Sequence, residues 1–558
     1  MPVKILPPTP SAYAYPLLIK HLLHTPLAVA GDQEITYRGK VRHSYRELRQ
    51  RIGRLASALA AQGVEPGQTV AMMDWDSHRY LEAFFAVPMM GAVLQTVNVR
   101  LSAEQILYTL NHAQADVLLV NREFFPLLAP IVARLETVRC FVLIDDEHGR
   151  DGVATPADAP VSISGEYEAL LAAADANYDF PDFDENAQAT VFYTTGTTGL
   201  PKGVFFSHRQ LVLHTLGVAT AMGSAPANGR LCREDVYMPI TPMFHVHAWG
   251  FPYVATLLGI KQVYPGRYLP ATLLQLIVQE KVSFSHCVPS ILQMLLAHPD
   301  AERTDLSGWK VLIGGSALSQ ALALTTMARG IDLLTGYGMS ETCPVLTIAH
   351  LESADMEASP EAQARLRCKT GRPLPLVDLR TVGPDFEPLP RDGASAGEVV
   401  VRAPWLTQGY LKAEQASAEL WAGGYLHTQD IGHIDARGYL QLTDRIKDVI
   451  KTAGEWTSSL ELEDIVGRHP AVHEVAVIGV PDEKWGERPL ALVVRKPEAV
   501  ATANEHEIRR FAAQLIEQTG VSRHGVLLQV RFVSELLKTS VGKMNKRAMR
   551  ETECADRA

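Results

Sequence analysis

Apolar positions in the first third of the chain alternate between two periods. From Arg46 to Gln62 they fall at Leu48, Ile52, Leu55, Leu59 and Ala60, a stripe down one face of a helix. Thr69 to Met73 is an apolar run of strand length, and Leu81 to Leu94 reads as a buried helix. Ser102-Ala103-Glu104-Gln105 has the spacing of a capping box and opens another helix. Val117 to Val120 and Phe141 to Ile144 are short apolar strands. Strands separated by helices predict βαβ units and parallel sheets.

The alternation continues through strands at Val311-Leu312-Ile313 and Leu333-Leu334-Thr335-Gly336. From Pro373 the pattern turns to short β segments broken by Pro and Gly, such as Gly397-Glu398-Val399-Val400-Val401-Arg402, which predicts a β-rich subdomain. After Arg445 a small α+β unit is expected, with strands at Val475 to Val480 and Leu490 to Val494 and a helix at Glu505 to Glu517. The predicted fold is therefore α/β: a large N-terminal domain, 1–445, with βαβ-type sheets and a β-rich subdomain, and a small C-terminal domain, 446–558. Ala172 to Glu185, rich in alanine and acidic residues, reads as a loop.

Composition narrows the functional classes. With 558 residues, 47% hydrophobic and 20% charged, the chain has the make-up of an ordinary globular enzyme. A net charge of −10 argues against a nucleic-acid partner. Six scattered cysteines without a C-x-x-C pair favour reduced thiols in the cytoplasm. The run from Ala83 to Leu94 holds Pro88 and Gly91 and is too short to span a bilayer, which takes about 20 apolar residues. Prolines interrupt the N-terminus, Met1 to Pro8, so no signal-peptide core is expected there.

The densest chemistry lies in Tyr193-Thr194-Thr195-Gly196-Thr197-Thr198-Gly199-Leu200-Pro201-Lys202-Gly203, just after the apolar run Ala189 to Phe192. Such a loop presents backbone N–H groups, hydroxyls and one ammonium to a polyanion. It is not a Walker A loop, because Pro201 and Gly203 flank the lysine where Gly and Ser or Thr are needed. Other partial motifs fail on context. Gly393-Ala394-Ser395-Ala396-Gly397 has the spacing of a nucleophile elbow but no helix follows, and His245 with His247 lacks the further ligands of a metal site.

Further segments follow the loop in a fixed order: Thr241-Pro242-Met243-Phe244-His245-Val246-His247-Ala248-Trp249, Gly314-Gly315-Ser316, Gly336-Tyr337-Gly338-Met339-Ser340-Glu341-Thr342, His427-Thr428-Gln429-Asp430, Asp444-Arg445-Ile446-Lys447-Asp448 and Lys538-Thr539-Ser540-Val541-Gly542-Lys543. From about Ser44 to Arg550 the chain resembles the adenylate-forming superfamily, which includes acyl-CoA synthetases, luciferases and carrier-protein adenylation domains.

The resemblance implies a role for each segment. Thr194, Thr195, Gly196, Thr197, Thr198, Gly199 and Lys202 would hold the ATP phosphates, and Glu341 with Thr194 would hold Mg²⁺. Tyr337 would face adenine, with Gly315, Ser316, Gly336, Gly338 and Ser340 around the nucleotide; Ser340 stands where threonine is more usual. Asp430 and Arg445 would bind the ribose hydroxyls. Lys543 would span the substrate carboxylate and the α-phosphate, although Leu537-Lys538 replaces the Pro-Arg that relatives often carry upstream.

Lys447 matches the hinge about which the small domain rotates between half-reactions. Lys451 and Trp456 match nucleotide contacts of fatty-acyl members, and Gly454 and Glu455 would lie on the CoA side, where Ala453 replaces a usual glycine. His245, His247 and Trp249, with Gly314 and Gly338, would line the acyl pocket, Trp249 as its gate.

The expected function is an ATP-, Mg²⁺- and CoA-using, AMP-forming ligase for a medium- or long-chain fatty acid. His247 stands where many members have Asn, which keeps a short, branched, cyclic or thioether acid open. Carrier-protein loading, a luciferase-like oxygenase and a non-catalytic sensor are the rivals. The sensor would need a lost catalytic group, yet Lys202, Glu341, Asp430, Arg445 and Lys543 are all present. Peripheral membrane contact and a homodimer complete the expectations.

Overall fold

The structure is a computed structural model and describes residues 3–146, 159–194, 200–452, 455–500, 503–519, 523–538 and 544–555. The helix Tyr45–Ala61 starts where its cap dictates: Ser44 accepts from the Glu47 N–H while the Glu47 carboxylate accepts from the Ser44 N–H. The predicted box at Ser102 and Gln105 does the same for Ala103–Ala113. The apolar run after Leu81 divides, however, into the helix His78–Met89 and the strand Val93–Thr96. Gly91 separates them with φ +84°, a left-handed turn that glycine adopts without steric cost. Every residue of His78–Met89 is buried, so the run has no polar face from which a period could be read.

Two large sheets form the main body. The seven-stranded sheet runs Gly165–Glu166, Cys140–Ile144, Ala115–Asn121, Thr69–Met73, Val93–Thr96, Gln188–Tyr193 and Gly203–Ser207. All its neighbours are parallel except the last two strands, whose antiparallel pairing makes a hairpin. The nine-stranded sheet places Asp332–Gly338, Lys310–Ile313, Phe284–Cys287 and Val236–Pro239 side by side and parallel. The buried helix His78–Met89 touches strands of both sheets.

A third, antiparallel sheet contains Asp378–Val382, Gly397–Arg402 and Tyr425–Ile434, with Leu440–Arg445 paired to the last. After Arg445 the strands Ile450–Thr452, Glu455–Thr457, Val472–Asp482, Gly486–Arg495 and Gln529–Phe532 form a sheet of their own. Asp444 accepts from the Ser459 N–H at 2.6 Å and so ties this last unit to the end of Leu440–Arg445. Among the described residues no helix is long and apolar enough to cross a membrane.

Candidate functional site

The site gathers at the carboxyl ends of the parallel strands of the nine-stranded sheet, where α/β sheets present their binding crevices. Lys310–Ile313 runs into Gly314 and Gly315, and Asp332–Gly338 ends at Gly336, Tyr337 and Gly338. These residues, with Met339 and Ser340, line a cavity of about 400 Å³. Gly338 has no alternative there, because a Cβ would stand 1.7 Å from the carbonyl oxygen of Pro344. Ser316 is exposed and lies beside the cavity rather than in its wall.

The phosphate-loop candidates sit on the hairpin. Thr194 and Lys202 face each other across it: the Thr194 N–H donates to Lys202 O at 3.0 Å, and the Lys202 N–H donates to Thr194 Oγ1 at 3.2 Å. Thr195, Gly196, Thr197, Thr198 and Gly199 lie outside the described residues. Glu341, in the turn Ser340–Thr342, is buried and accepts from the Tyr410 hydroxyl through Oε1 at 2.7 Å. Lys202 Nζ lies 4.6 Å from the centre of the Tyr410 ring. Burial and the Glu341 carboxylate both push the Tyr410 phenol up, so it stays protonated and donating.

Tyr410 therefore joins Lys202 to Glu341. Sequence reasoning missed this member of the cluster, since it lies in an irregular stretch with no periodic signal. Its place is fixed by backbone: Leu411 N–H donates to Gly203 O at 2.8 Å, and Thr407 N–H donates to Glu341 O at 2.9 Å.

A second cluster is built on Tyr337. Asp430 and Arg445 are register partners on antiparallel strands, and Arg445 Nε donates to Asp430 Oδ1 at 3.1 Å. Tyr337 donates its hydroxyl to the other oxygen of Asp430 at 2.6 Å. Asp430 thus couples the cavity wall to the last strand before the small unit. Lys447 lies just beyond, where the guanidinium of Arg550 donates to its carbonyl at 3.1 Å and to Asp448 at 2.7 Å. Lys451 pairs with Trp456 across the strands Ile450–Thr452 and Glu455–Thr457, and its N–H donates to Glu487 at 2.8 Å. Gly454 and Lys543 lie outside the described residues, and Glu455 is described through its backbone alone.

The histidine-rich segment divides in an unexpected way. Val246, His247, Ala248 and Trp249 all have φ between +48° and +57°, and Gly250 follows at +76°. Four successive non-glycine residues in this region cost about 1–2 kcal/mol each, strain of the kind that clusters at functional sites. The turn sends Trp249 and His247 to different places. Trp249, with His245, borders both the first cavity and a second one of about 350 Å³ that reaches Tyr268 and Arg100. His247 lines neither. It is fully buried among Phe84, Phe192, Phe206 and Tyr253, and neither ring nitrogen has a hydrogen-bond partner among the described residues. Burial lowers its pKa to about 3, leaving a neutral core ring. His247, expected at the acyl pocket, thus lies apart from both of these cavities: a left-handed backbone turns it inward, which no side-chain pattern signals.

Comparison with known proteins agrees with this architecture. The family described as AMP-binding enzyme matches residues 25–411, and the AMP-binding enzyme C-terminal domain matches 461–543. A long-chain-fatty-acid–CoA ligase of Thermus thermophilus is 40% identical, over 94% of this chain and 93% of its own. A 3-methylmercaptopropionyl-CoA ligase of Ruegeria pomeroyi is 37% identical, over 96% and 97%. The crystal structure of an anthranilate CoA ligase in complex with anthranoyl-AMP has the same fold, with a TM-score of 0.83 at 23% identity over 97% of this chain and 99% of the other.

Proposed function

The chain belongs to the AMP-binding enzyme family and is an AMP-forming acyl-CoA ligase, and on that premise we propose that its acid is a medium- or long-chain fatty acid activated at the cavity bordered by Trp249, Tyr337 and Ser340. ATP and CoA are its co-substrates. The acid's carboxylate oxygen attacks the α-phosphorus and pyrophosphate leaves. The CoA sulfur then attacks the acyl carbon, the carbonyl–phosphate oxygen bond breaks, and AMP departs.

The carrying observation is the linkage Lys202–Tyr410–Glu341 set against the Tyr337–Asp430–Arg445 cluster. Two anions meet in the first half-reaction, so positive charge and hydrogen-bond donors must gather there. In this reading Thr194 and Lys202, with Thr195 to Gly199, bind the β- and γ-phosphates. Asp430 and Arg445 take the ribose hydroxyls beneath the Tyr337 ring, and Lys543 joins the carboxylate to the α-phosphate. Glu341 and Thr194 supply hard oxygen donors suited to Mg²⁺, which when bound neutralises phosphate charge.

We place the division between the two domains at Arg445 and Ile446, with Lys447 as the hinge. Support comes from the strand Leu440–Arg445 belonging to one sheet and Ile450–Thr452 to the next. Lys451 and Trp456 on the nucleotide, Gly454 and Glu455 on the CoA side, a homodimer and a cytoplasmic location belong to the same reading; all six cysteines are unpaired.

A second acid is favoured by one feature. Trp249 borders both cavities, and an indole that stays between them would leave room only for a short acid, such as the thioether acid named in the Ruegeria relative. Acid-dependent exchange of labelled pyrophosphate into ATP tests the assignment. It should proceed without CoA and be lost in Lys202→Ala; exchange that survives in the variant would remove Lys202 from the phosphate site.

A further inference from the structure

Trp249 borders both cavities, lying between Gly314 and Leu312 on one side and Tyr268 and Val288 on the other. A Cβ on Gly314 would meet the indole at 3.0 Å, so the ring occupies the space that a side chain would otherwise fill. Its backbone is left-handed, φ +57°, a conformation unfavourable for a residue with a Cβ. One ring contact holds the indole in the partition.

That contact is His286. The two rings stack with centroids 5.0 Å apart and planes 30° from parallel. Behind it, Phe251 stacks on the same imidazole at 5.0 Å and 25°. The imidazole is fixed in place: it lies within the strand Phe284–Cys287, is fully buried, and its Nε2 hydrogen-bonds the Tyr237 hydroxyl at 2.8 Å. Burial lowers its pKa to about 3, so the indole meets a neutral ring. Nδ1 has no partner among the described residues.

We infer that His286 is a specificity-determining positioning residue: its face seats Trp249 between the two cavities and so sets how long an acid can be before the indole must be displaced. The inference rests on the reading of Trp249 as the acyl gate. Loosening the seat lowers the cost of displacing the indole. Long acids should then gain on short ones, while KM for ATP, whose phosphates are assigned to Thr194 and Lys202 and whose ribose to Asp430 and Arg445, should change little.

The test compares kcat/KM for palmitate and butyrate in the full-length protein, with KM for ATP and a thermal melt for each variant. His286→Leu should raise the palmitate-to-butyrate ratio roughly fivefold, the worth of one aromatic stack. His286→Phe keeps a ring in place but loses the Tyr237 hydrogen bond, so it should move the ratio by clearly less than His286→Leu. Tyr237→Phe removes one oxygen, frees the imidazole and should move the ratio the same way by less; if His286→Leu does not fold, Tyr237→Phe carries the test. Trp249→Ala separates the two ideas. If it shifts the ratio while His286→Leu, or Tyr237→Phe in its stead, does not, the seat is overturned and the gate stands. If Trp249→Ala shifts nothing, the gate reading fails and the seat with it. His286→Phe behaving like His286→Leu also overturns the inference.

Discussion

Tyr410 donates its hydroxyl hydrogen to Oε1 of Glu341 at 2.7 Å while its ring lies beneath the ammonium of Lys202. One side chain therefore aligns the carboxylate assigned to Mg²⁺ and the lysine assigned to phosphate. Tyr410→Phe keeps the ring and removes the donor. Hydrogen bonds to charged groups are worth about 1.5–3 kcal/mol, so kcat/KM for ATP should fall about tenfold or more at limiting Mg²⁺, and added Mg²⁺ should recover part of it. Unchanged ATP kinetics would show that Glu341 needs no such alignment.

Lys447→Pro should separate the half-reactions. Proline fixes φ and removes the N–H at the residue whose carbonyl Arg550 grips. Acyl-adenylate should form in single turnover while acyl-CoA appears slowly. If acyl-CoA forms at the wild-type rate, the domains turn about another residue.

What the sequence made legible follows from the kind of signal each element carries. The capping box at Ser102, and glycine-rich segments at strand ends, are local and read well, whereas the box at Ser44 emerged only in the structure. The run from Leu81 to Leu94 is buried on all sides, and its helix-to-strand change is marked only by Gly91. Tyr410 and Thr407 act through tertiary contacts between distant segments, so no spacing announces them. His247 was placed by resemblance alone, and the left-handed backbone from Val246 to Trp249 that turns it inward has no counterpart in the residue pattern.

That buried histidine predicts a pH dependence. His208, His214, His247 and His286 each have a folded-state pKa lowered to about 3 by burial, against about 6.5 when unfolded. Above the unfolded value both states are neutral and nothing is lost. As pH falls from there towards 3, only the unfolded chain takes up protons, so stability declines by up to about 1.4 kcal/mol per pH unit for each ring. Melting temperature should drop between pH 7 and 5, and His247→Phe should make that drop shallower. An identical slope in the variant would mean that His247 is protonated within the fold.

Gly250→Ala should destabilise the protein and disturb acid selectivity together. Its φ is +76°, and a Cβ there would stand 2.7 Å from Cε1 of His214. Left-handed strain alone costs about 1–2 kcal/mol before the clash is counted. Urea denaturation checks the stability and the acid panel checks Trp249, which precedes Gly250 directly. A variant as stable as the wild type would show that the turn relaxes without cost.

The central claim is that this chain joins a carboxylic acid to CoA through an acyl-adenylate. Mass spectrometry of the products from ATP, Mg²⁺, CoA and a panel running from 3-methylthiopropionate and butyrate to octanoate and palmitate tests it directly. The account predicts equal amounts of AMP and acyl-CoA, with octanoate or palmitate as the best acid, and acyl-adenylate alone when CoA is withheld. Release of ADP instead of AMP, or no nucleotide turnover with any acid, would contradict it.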